Sequence, residues 1–298
     1  MKRFTEKHPA SRLSISGHTG LTALLGSPVA HSLSPAMHNT AFSMLGLDYV
    51  YLCFDVDEAQ LPAAVEGLKT CGIRGFNLTM PDKNKMVELV DALSPAASMI
   101  GAVNTVVNEN GRLTGHNTDG VGYMRSIEDA GFSVIGKTMT ILGSGGASTA
   151  ICTQAALDGV CELNIFARPT SRFHARTVKL VDEINRRTAC HASLYDLADK
   201  SALNDSICRS ALLTNATSVG MAPNEEASLI EDFSIYPSSL AVSDIIYNPR
   251  ETRFLRLARE AGLATCNGLY MLLYQGAEAF RLWTGCEMPT EEIKRLYF

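Results

Sequence analysis

The run Thr138–Leu142, followed by Gly143-Ser144-Gly145-Gly146-Ala147-Ser148, constrains the fold more than any other stretch of this chain. A short apolar segment breaks at a glycine cluster and gives way to a helical pattern at Thr149–Leu157, then to a second strand at Glu162–Ala167. Strand, glycine turn, helix, strand is the opening of a parallel βαβ nucleotide-binding unit. Gly143 permits the tight turn, and Gly145 lets the backbone approach a pyrophosphate. The helix behind them offers its amide end to negative charge. Gly146-Ala147 keeps that helix close to the strand, while Ser148 departs from G-x-G-x-x-G by standing at the last glycine or alanine position.

The end of the second strand bears on which dinucleotide would bind. An NAD site places an acid there to accept from the ribose 2′-hydroxyl, whereas an NADP site places a cation nearby. The strand ends Phe166-Ala167-Arg168-Pro169-Thr170-Ser171-Arg172, with no acid, two arginines and two hydroxyls. Arginine suits phosphate through its planar fork. NADP is therefore the expected cofactor, with NAD as the alternative.

The rest of the chain extends the same alternation. Strands are expected at Leu21–Leu25, Tyr49–Val56, Ile73–Leu78, Ala102–Asn108 and Leu113–His116, the last two joined by an Asn110-Gly111 turn. Ser34-Pro35 reads as cap and first turn of a helix to about Leu45, with Met37, Ala41, Phe42 and Leu45 as its apolar stripe. Leu61–Cys71, Asn84–Leu93, Pro95–Ile100 and Val121–Ala130 also read as helices. Beyond the second strand of the βαβ unit come a helix at Thr170–Arg187 and strands at Ala211–Thr214, Leu240–Ile246 and Ala264–Cys266. The remaining helices are Thr252–Ala261, Tyr270–Thr284 and Glu291–Leu296. This pattern is an α/β fold with parallel layers, and 298 residues suffice for two domains.

Composition narrows the function. Apolar residues make up 46% and charged residues 19%, with a net charge of −5. That balance supports a sizeable core and argues against a nucleic-acid or anionic-membrane binder. Eight cysteines without C-x-x-C spacing, including Cys53, Cys152 and Cys266 in apolar runs, read as reduced thiols of a cytoplasmic protein with no metal site. The leader Met1–Ser16 lacks the apolar core of a signal peptide, and no run is long enough to span a membrane.

One polar stretch stands out: Gly75-Phe76-Asn77-Leu78-Thr79-Met80-Pro81-Asp82-Lys83. Pro81 forces a turn at the strand's end, throwing Asn77, Thr79 and Lys83 towards the edge where open α/β sheets bind ligands. Further polar segments keep it company. They are Gly26 to Pro35, Gly101-Ala102-Val103-Asn104-Thr105 and Asn117-Thr118-Asp119-Gly120 before the glycine loop. After it come Asn215 to Met221, Asp244 to Pro249 and Gly268 to Gly276.

Taken in this order, from about residue 21 to the C-terminus, the set resembles the shikimate dehydrogenase family, including the quinate/shikimate dehydrogenases. The resemblance implies reversible reduction of 3-dehydroshikimate to shikimate with NADP, or with NAD. It also implies a discontinuous substrate domain (1–120 and 269–298) with a mainly parallel sheet, and a Rossmann-type domain (121–268), with the substrate in the cleft between them. Carried over by motif position, Lys83 and Asp119 are the catalytic pair, and Ser32 and Ser34 hold the substrate carboxylate, with Tyr247 near that end. Thr79, Asn104, Asp119 and Gln275 meet the ring hydroxyls. Gly143, Ser144, Gly145, Gly146, Ala147, Ala167, Arg168, Ser171, Arg172, Ser218, Ile245 and Gly268 line the cofactor. Ala167 departs from the asparagine that many members carry beside the arginine. The partner is a small molecule, shikimate or 3-dehydroshikimate with quinate as a variant, bound by a monomer or homodimer without nucleic acid or membrane.

The chemistry agrees with these residue types. Oxidising a secondary alcohol sends hydride from carbon and a proton from oxygen, so a base must reach that hydroxyl. A free lysine holds its proton up to about pH 10.4, so a neutral lysine base needs a shift of about three units. Burial and an oxidised nicotinamide lower it, a carboxylate raises it, and a coupled Lys83–Asp119 relay is the alternative. A dual quinate/shikimate dehydrogenase would share all these residues. A non-catalytic ligand-sensing regulator or a bare dinucleotide-binding protein would not need them.

Overall fold

The computed structural model describes residues 15–298, so most of the leader lies outside the described residues. Residue contacts divide the chain into two units. One takes the described chain up to Ser94, then Gly101–His116 and Gly276–Phe298; the other takes Pro95–Ile100 and Asn117–Gln275.

The first unit is built on β1 (Gly20–Gly26), β2 (Tyr49–Asp55), β3 (Gly75–Leu78), β4 (Ala92–Leu93), β5 (Thr105–Glu109) and β6 (Arg112–His116), in the order β2-β1-β3-β5-β6-β4. β1, β2 and β3 run parallel because α1 (Ser34–Leu45) and α2 (Leu61–Thr70) return the chain between them. The β5–β6 hairpin turns through Asn110 and Gly111 at φ 54° and 89°, the doubly positive backbone that a tight hairpin demands. β5 is antiparallel to β3 as well as to β6. The sheet is mixed, with its parallel pairs outnumbering the antiparallel ones.

Three local expectations for this unit fail, each for a physical reason. Asn84–Leu93 is not a helix: a single 3-10 turn at Lys85–Glu88 is followed by β4, which pairs with β6. The residue before a proline resists helix, so Ser94-Pro95 draws the chain into extended form. Ser34 does not cap α1; it is the first helical residue, and its N–H donates to the Ser32 hydroxyl at 3.2 Å. Leu45, assigned to the buried stripe, is 42% exposed.

The second unit opens with α3 (Pro95–Ile100) and α4 (Asp119–Asp129). It continues through β7 (Thr138–Leu142), α5 (Gly146–Asp158), β8 (Glu162–Ala167), α6 (His174–Arg187), β9 (His191–Asp196) and α7 (Lys200–Arg209). Then come β10 (Leu212–Asn215), β11 (Ala241–Asp244), α8 (Arg253–Glu260), β12 (Ala264–Cys266) and the first part of α9 (Leu269–Thr284). The end of α9 and α10 (Thr290–Tyr297) belong to the first unit. All six strands run parallel in the order β12-β11-β10-β7-β8-β9. Numbered from β7, this is the 3-2-1-4-5-6 order of the doubly wound dinucleotide fold, whose strand order reverses between β7 and β10.

Its helices cover both faces, giving two apolar cores. Ile141, Ile151, Leu163, Ile165 and Ile184 lie in one, Leu213, Val242, Phe254 and Leu255 in the other. The strand–helix pair β9–α7 escaped the sequence reading. β9 carries the weakly apolar sequence HASLYD, while Asp199 caps α7 by accepting from the Ala202 N–H at 3.0 Å. No helix among the described residues is long and apolar enough to cross a membrane.

Candidate active site

In the first unit the parallel strands β1 and β3 end at the same edge, and antiparallel β5 begins there. Backbone bonds stitch that edge together. Thr79 N–H donates to Leu25 O at 3.0 Å, Leu78 N–H to Asn104 O at 2.8 Å, and Val103 N–H to Lys83 O at 2.8 Å. Thr79, Lys83 and Asn104 are thus brought together by the sheet itself, with Ser32 and Ser34 on the segment leaving β1. Thr79 and Lys83 are half-buried and Asn104 is buried.

Asn77 behaves differently from its expected outward role. It is 6% exposed and turned inward, accepting from the Tyr51 phenol at 2.8 Å and donating to Asn104 O at 3.2 Å and the Thr105 hydroxyl at 3.0 Å. The Thr105 hydroxyl then donates to Asn104 Oδ1 at 3.0 Å, fixing the Asn104 amide. The Ser34 hydroxyl reaches the same Tyr51 phenol. Tyr51 and Thr105 are therefore supporting residues to which the sequence reading gave no role: Thr105 stood in the Gly101–Thr105 segment only as the neighbour of Asn104, and Tyr51 only as a strand residue.

His38 is excluded as a proton carrier. It is fully buried, stacked on Tyr51 at 4.4 Å and flanked by Phe280 and Trp283, and burial pushes it down to about 3. It stays neutral at any working pH.

Asp82, beside Lys83, is fully buried with no hydrogen-bond partner on either carboxylate oxygen. Burial, then repulsion from Glu58 and Asp57, pushes its carboxyl above the usual range. An acid whose folded-state pKa is raised loses stability as pH climbs past its unfolded value, about 3.9. Asp82→Asn is accordingly expected to stabilise the protein by about 1 kcal/mol at neutral pH. Denaturant titrations should show this gain shrinking as pH approaches 4.

The second unit carries a cavity of about 780 Å³ at the strand-order reversal. Gly143, Ser144, Gly145, Gly146 and Ala147 form one wall, and Ala167, Arg168, Thr170, Ser171, Arg172 and Phe173 close one end. Ala216, Thr217 and Ser218 after β10, with Ile245, Ile246 and Tyr247 after β11, also line it. Tyr247, assigned to the substrate carboxylate, thus lies on the cavity wall and is 48% exposed. Gly268 is not on that wall but packs behind Ile245, its N–H donating to Ile246 O at 3.1 Å.

The cavity suits a dinucleotide. Gly143 has φ +120°, and a Cβ there would stand 2.7 Å from Ala216 O, so only glycine fits the turn. α5 starts at Gly146, earlier than expected, with Gly145 at its cap and no side chain satisfying its first amides. Those amides are open to phosphate. Ser148 is tolerated at the glycine position because its hydroxyl donates to Gly143 O at 2.7 Å. Ser144 and Ser171 bridge the two loops, their hydroxyls 3.1 Å apart. Arg168 and Arg172 are exposed, and the Arg172 guanidinium lies over the Phe173 ring at 4.6 Å.

Two further assigned residues lie in the second unit. Asp119 is the first residue of α4, where its charge complements the helix dipole, and its N–H donates to Asn117 Oδ1 at 3.2 Å. Gln275 donates through its amide to Leu272 O at 2.9 Å. Among the described residues, no group of three or more His, Cys, Asp or Glu is arranged to hold a metal ion.

Family comparisons bear on this geometry. Residues 24–106 match the shikimate dehydrogenase substrate binding domain, and residues 268–296 match the shikimate 5′-dehydrogenase C-terminal domain. The chain is 51% identical over 284 residues to the shikimate dehydrogenase (NADP(+)) of Listeria monocytogenes serotype 4b (strain F2365), covering 95% of this chain and 97% of the relative. The chain belongs to the shikimate dehydrogenase family. Within that family it superposes on the crystal structure of shikimate 5-dehydrogenase from Listeria monocytogenes in complex with shikimate and NAD. The TM-score is 0.92 at 51% identity, over 96% of this chain and 98% of that one. A shikimate 5-dehydrogenase from Thermus thermophilus, in complex with NADP(H) and shikimate, matches with a TM-score of 0.77 at 36% identity. That match covers 93% of this chain and 97% of the other.

Proposed function

We propose that this chain catalyses the reversible, NADP-dependent reduction of 3-dehydroshikimate to shikimate. The observation that carries the reading is 51% identity, over nearly the whole length of both chains, with a relative named for that activity. The first unit serves as the substrate domain and the second as the nucleotide domain. The nicotinamide supplies the hydride when bound. The chain's own residues do the rest. Ser32 and Ser34 hold the substrate carboxylate, and Thr79, Asn104 and Gln275 meet the ring hydroxyls. Lys83 with Asp119 moves the proton at the reacting oxygen. The bonds from Thr105 and Asn77 preorganise Asn104, so its amide does not have to be ordered when substrate arrives. A site built to bond several hydroxyls rejects analogues that lack them.

Arg168 and Arg172, with Ser171, are assigned to the adenosine 2′-phosphate. Arg168→Ala is expected to lower the ratio of NADP to NAD efficiency by about tenfold or more, the loss of one charge-assisted bond. Steady-state kinetics with both cofactors reads this, and an unchanged ratio removes Arg168 from that role. The NAD in the Listeria complex supports NAD as a second acceptor. A dual quinate/shikimate dehydrogenase would use the same catalytic residues. Dependence on the cell's nicotinamide pool fits a cytoplasmic enzyme.

The deciding experiment follows the formation of reduced nicotinamide with shikimate and with quinate, each with NADP and with NAD. Turnover strongest with shikimate and NADP is expected. Silence in all four by folded protein overturns the reading, and silence together with measurable ligand binding favours a ligand-sensing regulator.

A further inference from the structure

Behind the nucleotide cavity lies a buried carboxylate that does not line it. Asp244, the last residue of β11, is fully buried and makes three hydrogen bonds to three different segments. Its Oδ1 accepts from the Ile246 N–H at 3.0 Å. Its Oδ2 accepts from Asn215 Nδ2 at 3.0 Å and from the Thr252 hydroxyl at 2.8 Å. Each partner holds something else in turn. Asn215 closes β10, donates to Val219 O at 3.1 Å and accepts from both the N–H and the hydroxyl of Thr217, at 3.1 and 2.7 Å. Thr252 is the N-cap of α8.

The two loops tied in this way supply Thr217, Ser218, Ile245 and Ile246 to the cavity wall. Backbone bonds from Ile245 N–H to Asn215 O and from Gly268 N–H to Ile246 O, both 3.1 Å, anchor the loops just past the strand ends, and the Asp244 side-chain bonds add the ties from one loop to the other and to α8. We propose that Asp244 is a positioning residue of the nucleotide site, its carboxylate holding the β10 and β11 loops in register with helix α8. This proposal rests on the nicotinamide-dependent reading of the cavity.

A buried anion without a cation is a costly way to join three segments. Burial pushes Asp244 up to about 6, while bonds from Ile246, Asn215 and Thr252 pull the other way. The titratable groups facing it are Tyr123 of α4 and Cys266 of β12. Burial raises both, so both are neutral where Asp244 titrates. On α8, Arg253 and Arg256 are paired with Glu231 and Glu226. Asn215 Nδ2 can only donate, and a proton arriving on Oδ2 sets two donors against each other. The clamp therefore weakens as pH falls through about 6.

The test compares the wild type with Asp244→Asn and the milder Thr252→Val, using NADP titrations by calorimetry at about pH 8 and pH 5. Asp244→Asn is expected to raise the NADP Kd about tenfold at pH 8 while leaving the shikimate Kd unchanged. Its Kd relative to wild type should fall towards one at pH 5, where the wild-type carboxylate is itself protonated. Ionisation of the NADP 2′-phosphate cancels in that ratio. Thr252→Val removes one of the three bonds together with the α8 cap bond from the Leu255 N–H, and is expected to weaken NADP binding a few-fold. It decides the matter if circular dichroism shows Asp244→Asn to be unfolded. Unchanged NADP affinity in the folded variants, or a ratio independent of pH, overturns the proposal while wild-type turnover leaves the functional reading standing. A wild type that binds no nicotinamide nucleotide overturns both.

Discussion

Replacing Lys83 with alanine is expected to lower kcat by about three orders of magnitude while shikimate still binds. In the direction of ketone reduction, negative charge develops on the substrate oxygen as hydride reaches the adjacent carbon. An ammonium group within hydrogen-bond reach both stabilises that charge and delivers the proton. The structure holds the Lys83 backbone firmly: its carbonyl accepts from Val103 at 2.8 Å, one residue before Asn104, and its turn follows the β3 end that carries Thr79. Alanine keeps those backbone bonds and removes only the side chain, so the substrate contacts should persist. Pre-steady-state hydride transfer, with shikimate affinity measured by equilibrium titration, separates the two effects. Turnover near wild type would remove Lys83 from the chemistry. A parallel loss of shikimate affinity would make it a binding group instead.

Gly268→Ala carries the second large effect, on stability and nucleotide binding together. A methyl group at Gly268 would overlap the Ile245 carbonyl and stand 2.9 Å from Ile245 Cα. The obstacle is backbone rather than the far end of a flexible side chain, so the strand end itself must move. Overpacking of this kind costs about 3 kcal/mol. Ile245 lines the cavity, and Gly268 N–H is bonded to Ile246 O, so the displacement falls on the nucleotide wall. Denaturant unfolding and NADP titration should shift together. Native stability with native affinity would mean that the β11 loop relaxes freely, which would also weaken the case for a clamp at Asp244.

Much of the second unit was legible because a parallel sheet covered on both faces writes itself as short apolar runs. β7 and β8 have the bounds their sequence suggests, and the glycine turn between β7 and α5 follows from residues whose backbone freedom is local. The misses share a cause. Asn84–Leu93 has helix-compatible residues, but partners distant in sequence decide its state: Asp91 Oδ2 accepts from the Leu113 N–H, and β4 pairs with β6. β9, partly exposed, lacks a continuous apolar run.

For the candidate site, the order and chemistry of the motifs identified the family and supplied candidate residues one by one. Those are properties of covalent sequence: which groups can donate, accept or carry charge, and where glycine or proline forces a turn. Which way those groups face is a tertiary decision. Asn77 turns inward to hold Asn104, Asp82 is enclosed without a partner, Tyr247 lines the second unit's cavity, and Asp244 accepts a bond from Asn215, 29 positions away. Burial and long-range pairing settle such matters, because the cost of stripping water from a polar group depends on what the rest of the fold places around it.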